Sequence, residues 1–185
     1  MRIFLVRHSK TIIDKKVKSC EWGLVEGYEN DSILREVKKL SGFSCCIYSS
    51  DETKAILTSE IIRTNQKIIK TKWLREVDRG DKYLEDYTGR VKEFFNFSNR
   101  SMDEWETGNS AIRRFLHGLQ KIETDGDVIL VGHGLMFSLF RAKVLGQEKV
   151  KLDDWQALLM PDYAIIEKQA DAYRLVKDFE GIKNK

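Results

Sequence analysis

Two apolar runs in this chain stop on residues able to do chemistry. Ile3 to Val6 ends on Arg7 and His8, and "VILVG" at 128–132 ends on His133 and Gly134. A third run, "CCIYSS" at 45–50, leads through Ser49 and Ser50 into a segment carrying Lys54, and Glu76 follows a fourth, "QKIIKT" at 66–71. Guanidinium, ammonium and imidazole groups brought together have an obvious ligand in a phosphoryl group. Its oxygens need donors and positive charge, and its transfer needs a nucleophile. A neutral imidazole on His8 could attack phosphorus and carry the phosphoryl group as an intermediate. Arg7, Lys54 and a protonated His133 would then stabilise the equatorial oxygens, and Glu76 is placed to protonate the departing oxygen.

These residues converge only if their strands lie in one sheet with their carboxyl ends together, where open parallel sheets bind ligands. The rest of the chain predicts that arrangement, because strand and helix signals alternate from end to end. Arg2 to Val6 reads as the first strand. "DSILREVKKL" at 31–40 reads as a helix with Ile33, Leu34, Val37 and Leu40 on one face, behind a cap at Asp31 or Ser32. After "CCIYSS" comes the helix "DETKAILTSEIIR", with acidic residues suited to its positive end, and then the short strand "QKIIKT". "SAIRRFLHGLQKIE" at 110–123 makes a helical stripe of Ile112, Phe115, Leu116, Leu119 and Ile122. "TDGD" breaks it, and "VILVGHG" suits a central parallel strand. "LMFSLFRAKVL" follows as a helix. "YAIIEK" and "YRLVKDF" form a closing hairpin around "QADA", with Pro161 just before it, where a missing N–H disturbs no ladder.

The expected fold is therefore α/β, a single domain spanning residues 1–185. Residues 81–107 lack strand alternation and are rich in aromatic and charged residues, which predicts a helical insertion or cap. His117 falls off its helical stripe and is assigned to the solvent face, and Ser110 is read as a helix cap, not a ligand.

Bulk composition narrows the function. A chain of 185 residues with 42% hydrophobic and 33% charged content can build one real core. The net charge of +3 is spread along the sequence, which argues against a nucleic-acid partner. No apolar stretch reaches the length of a membrane span and no leader pattern follows Met1, so a cytoplasmic protein with no membrane partner is expected. Cys20, Cys45 and Cys46 show neither disulfide nor zinc-site spacing, and the adjacent pair reads as small residues in or near a buried strand. No metal-ligand cluster is visible, and no cofactor is implied.

At these residues the chain resembles the histidine phosphatase superfamily, the phosphoglycerate mutase-like fold. "LVRHSKT" resembles the family's opening Arg-His-Gly hallmark, and "IYSSDETKAILTSEII" its Ser-Ser strand end with the following helix. Leu74, Glu76 and Gly80 resemble its Leu-x-Glu before a glycine, "GNS" at 108–110 its Gly-Glu-Ser, and "VILVGHG" its Ser-His-Gly strand. The similarity runs in order over nearly the whole chain. The resemblance implies a three-layer α/β/α sandwich around a mostly parallel sheet. It implies His8 as the phosphorylated nucleophile, Glu76 as acid and base, and Arg7 and His133 as phosphoryl ligands. Ser9, Asp14, Lys54 and Gly134 complete the expected phosphate-binding set.

Several of these positions depart from the family pattern. Ser9 replaces a glycine, Lys10 an acid and Asp14 an asparagine, and Lys54 stands where the family has a second arginine. Lysine keeps the charge and loses the planar fork that grips two phosphate oxygens. Should another cation fill that place, Lys10 and Arg79 are the candidates.

The first functional reading is a metal-independent phosphomonoester hydrolase acting on a small phosphorylated metabolite. The alternative is a phosphate-binding or regulatory protein whose catalysis is weakened by Lys54. A phosphoglycerate mutase is the third, disfavoured because 185 residues leave little room for insertions.

Overall fold

The computed structural model describes residues 1–41, 44–102, 104–124, 126–170 and 172–183. Asp125 and Asp171, read above as turn residues, lie outside the described residues, as does the side chain of Cys45.

Six strands form one sheet: β1 (Arg2–Arg7), β2 (Ser44–Ser50), β3 (Ile68–Thr71), β4 (Asp127–Gly132), β5 (Asp162–Gln169) and β6 (Ala172–Lys177). The order is β3-β2-β4-β1-β5-β6. The first four strands are mutually parallel, while β5 and β6 run antiparallel as the closing hairpin on one edge. The carboxyl ends of β1, β2, β3 and β4 therefore share one edge.

The helices are α1 (Ser32–Ser41), α2 (Thr53–Ile62), α3 (Tyr87–Asn96), α4 (Gly108–Gln120), α5 (Gly134–Val144), α6 (Leu152–Ala157) and α7 (Glu180–Lys183). Strand alternation sorts them into two layers. Ile3, Leu5, Val128 and Leu130 pack with Phe94 of α3, Phe115 of α4 and Phe137 of α5. Phe4, Val6, Ile129 and Val131 face the other way, onto Leu34 and Val37 of α1 and Ala55 and Ile62 of α2. Both faces of β1 and β4 are covered, which is why those strands read as unbroken apolar runs.

Caps fix where several helices begin. Asp31 Oδ1 accepts the Ile33 and Leu34 N–H groups at 2.8 and 3.2 Å, so the α1 cap is Asp31, not Ser32. The α4 cap is Thr107, whose side chain accepts the Ser110 N–H at 3.1 Å. Ser110 stands inside the first turn and donates to Glu106 at 3.1 Å, which corrects its reading as a cap. His117 is exposed, as expected. Within 81–107 the chain forms α3, which buries Val91, Phe94 and Phe95 against the α4 and α5 side of the sheet. The helix α6 was not anticipated: six residues with two adjacent aspartates carry too little periodicity to read.

Candidate active site

Arg7 pairs with Gly132 across β1 and β4, and the His8 N–H donates to the Gly132 carbonyl at 3.0 Å. Pairing thus continues one residue past β1 and brings the two histidine-bearing strand ends together. The His8 and His133 rings lie 5.2 Å apart, edge to face, and both residues are buried.

His8 Nδ1 is 2.7 Å from the Ser9 carbonyl. A carbonyl only accepts, so Nδ1 carries the proton and Nε2 keeps its lone pair. Burial, then the cationic surroundings of His133, Arg7 and Lys54, hold His8 well below the ordinary imidazole range. This is the form a nucleophile needs.

Arg7 is anchored at one end and open at the other. One terminal nitrogen donates to the carbonyls of Leu158 and Leu159 at 2.8 and 3.2 Å, while the buried Nε has no protein partner. The guanidinium passes so close to Gly134 that a Cβ there would sit 3.1 Å from its atoms. Neither ring nitrogen of the fully buried His133 has a hydrogen-bond partner in the protein. Burial, then Lys54, Arg79 and Arg7, push its pKa well down. Buried polar atoms without partners are rare. Among the described residues they include Arg7 Nε, both His133 nitrogens and the neighbouring Ser9 Oγ, and Arg7 and His133 line one cavity of about 540 Å³ with His8, Lys54, Glu76 and Gly134.

Glu76 reaches this cavity from the segment after β3. Its Oε2 accepts the Leu135 N–H at 3.0 Å and its Oε1 the Met136 N–H at 2.9 Å, so the carboxylate sits on the positive end of α5. Arg114 of α4 holds that segment in place. It donates to the carbonyls of Trp73, Arg75 and Glu76 at 2.9, 3.1 and 3.2 Å and is itself fixed by Glu106 at 2.7 Å.

Lys54 is not free. Its ammonium donates to Glu52 Oε2 and to the Ser19 carbonyl, each at 2.6 Å. The other oxygen of Glu52 accepts the Glu76 N–H at 2.9 Å and lies 3.4 Å from His133 Nε2 without forming an aligned hydrogen bond. Glu52 and Lys54 are both buried. One carboxylate therefore touches three of the expected site residues.

The cavity walls include Arg7, His8, Lys54, Glu76, His133 and Gly134, and leave out Ser9 and Asp14. Ser9 is buried, its N–H donating to Thr58 Oγ1 at 3.1 Å. Asp14 is exposed and occupied locally, accepting the Lys16 N–H at 2.9 Å, while its carbonyl accepts the Trp22 indole N–H at 2.8 Å. Residues 81–107 contribute Asp81, Lys82, Tyr83, Leu84, Tyr87 and Thr88 to the wall. Burial pushes the Tyr87 phenol up to about 12. Glu52 and Arg114 were missed in the sequence, where each looks like one more charged residue on a helix.

Solved structures share this architecture. Bacillus stearothermophilus YhfR superimposes with a TM-score of 0.75 at 21% identity, over 97% of this chain and 96% of that one. A mycobacterial glucosyl-3-phosphoglycerate phosphatase gives 0.73 at 18% identity, over 95% and 97%. Entamoeba histolytica phosphoserine phosphatase with bound phosphoserine gives 0.71 at 16% identity, over 98% of each chain. Among curated proteins nothing matches by sequence. The sequence profile of the histidine phosphatase superfamily (branch 1) matches residues 3–177, and the chain belongs to that superfamily.

Proposed function

We propose that this protein is a phosphomonoester hydrolase that acts through a phosphohistidine on a small phosphorylated metabolite. The observation that carries the reading is the contrast between three buried side chains. His8 is held neutral with Nε2 free, while the Arg7 Nε and both His133 nitrogens make no hydrogen bond within the protein beside it.

His8 Nε2 attacks phosphorus as the bond to the ester oxygen breaks, and Glu76, entering the step as the carboxylic acid, gives its proton to the departing oxygen and is left as the carboxylate. Glu76 then removes a proton from water as that water displaces the phosphoryl group from His8. Arg7, His133 and the remaining N–H of Lys54 meet the charge on the phosphoryl oxygens. The phosphatases that share the fold support phosphoester hydrolysis without fixing the substrate or the intermediate.

The Glu52–Lys54 ion pair favours a second reading, a phosphate-binding protein with weakened turnover, because it neutralises one of the cations at the site. Hydrolysis of p-nitrophenyl phosphate by the purified protein decides between the two. Turnover should survive chelators and should deposit acid-labile, base-stable phosphate on the protein. His8→Ala should remove both turnover and label, and full activity in that variant would refute the mechanism. Saturable phosphate binding without turnover would establish the second reading.

A further inference from the structure

On the α2 side of the cavity the expected guanidinium is replaced by a lysine that is already spoken for. An ammonium has three N–H donors, and two of those on Lys54 go to Glu52 and to the Ser19 carbonyl. Its charge is balanced at 2.6 Å by a buried carboxylate, and a phosphoryl dianion arriving there would meet that carboxylate as well.

The same serine holds a second cation. Arg79, four residues past the β3-side turn that ends at Arg75, donates to Ser19 Oγ at 3.1 Å and lines the same cavity as Arg7, His8, Lys54 and His133. Lys54 on the Ser19 carbonyl and Arg79 on its hydroxyl place the two cationic heads on one residue. The Arg79 guanidinium lies over the Tyr87 ring, 4.7 Å from its centroid. Stacking of this kind restricts rotamers in advance, so less freedom is lost when an anion binds. Among the described residues no carboxylate pairs with Arg79.

Resting on the phosphatase reading above, the geometry points to Arg79 as the guanidinium that grips the phosphoryl oxygens on the side where Glu52 neutralises Lys54. The fork that is missing at residue 54 is then supplied from the segment after Glu76. A guanidinium also suits the task better than the lysine, since it offers several N–H groups in one plane.

The test uses two probes with no second anionic group, inorganic vanadate and p-nitrophenyl phosphate. Arg79→Met should weaken vanadate binding and lower kcat/KM for the ester by about 10- to 100-fold, the scale of one charge-assisted contact. Arg79→Lys should restore part of the loss, as charge without the fork. Adding Glu52→Gln to Arg79→Met should also restore part of it, because Lys54 is then released toward the anion. A purely structural role for Arg79 predicts no such rescue, and its absence would overturn the assignment. An Arg79→Met variant equal to the parent on both probes, and impaired only on esters bearing a carboxylate such as phosphoserine, would overturn it too, placing Arg79 at the far end of the substrate. A parent that neither binds vanadate nor turns over would instead sink the phosphatase reading, and this assignment with it.

Discussion

Glu52 and Lys54, two residues apart at the start of α2, form an ion pair of 2.6 Å whose side chains are only 7% and 5% exposed. Two charges removed from water together recover their desolvation cost only while both are present. The pair is therefore a structural commitment at the wall of the cavity proposed to hold the phosphoryl group.

Lys54→Met should show this commitment. It leaves the Glu52 carboxylate buried without its cation, and urea unfolding should report a loss of about 3–5 kcal/mol. Combining it with Glu52→Leu should return most of that stability, since the uncompensated charge is gone. A single variant as stable as the parent would mean that the pair is solvated and unimportant.

Glu76→Gln should separate catalysis from structure. The amide can donate no proton to a leaving oxygen, so alkyl phosphates should slow far more than p-nitrophenyl phosphate, whose leaving group needs no acid. The amide NH₂ would also face a backbone N–H at Leu135 or Met136, so the melting temperature should fall. Equal losses on both ester types would reassign the acid, with Asp78 or Asp81 next in line.

Gly134→Ala tests how tightly Arg7 is placed. The new methyl would lie 3.1 Å from the guanidinium, which the Leu158 and Leu159 carbonyls keep from backing away. A displacement of a few tenths of an ångström should cost about tenfold in kcat/KM, with little change in thermal stability. Unchanged kinetics would show that Arg7 has room to move.

Acid should destabilise the fold through its two buried histidines. Both are held well below the ordinary imidazole value, so the unfolded chain takes up protons first as pH falls past about 6.5. Their contribution is fully present above that value and is lost below it, by up to about 1.4 kcal/mol per pH unit for each histidine. Urea unfolding of phosphate-free protein at pH 7.5 and 5.5 should show the drop, and His133→Asn should make it shallower. Identical midpoints at the two pH values would contradict the burial of these rings as neutral groups.

The positions of Arg7, His8 and His133 were legible in the sequence because Arg7 closes an apolar strand and His8 and His133 directly follow one, and a parallel sheet leaves such residues one place to go. Lys54 and Glu76 were legible as positions, but their surroundings were not. Asp51 and Glu52 look equivalent on paper. One turns outward to a two-pronged contact with Arg75 and the other turns into the site, a choice made by the rotation of the chain between β2 and α2. Arg114 was hidden for a similar reason. Its partners at residues 73–76 lie about forty positions away in sequence and meet it only once α4 has packed. Asp14 shows the reverse case, a polar residue close to His8 in sequence whose local hydrogen bonds keep it on the surface.

The site has a floor of paired strands and a roof whose outer rim is fastened by surface ion pairs. Strand ends of a doubly covered sheet carry His8 and His133, while the two segments that wall the cavity above them, around residues 13–22 and 79–85, are tied inward where Ser19 accepts from Lys54 and Arg79 and joined at their outer rim by the exposed pairs Lys15–Glu85 and Lys18–Asp81 at 2.8 and 2.7 Å. Contacts of that kind weaken as counterions screen them, whereas the floor depends on apolar packing and backbone pairing that salt leaves intact. Ionic strength should then act on the traffic of substrate and product more than on the chemical step. A rise in turnover with added chloride, at constant single-turnover phosphorylation of His8, is the signature of a gate that salt loosens over a hearth that it does not touch.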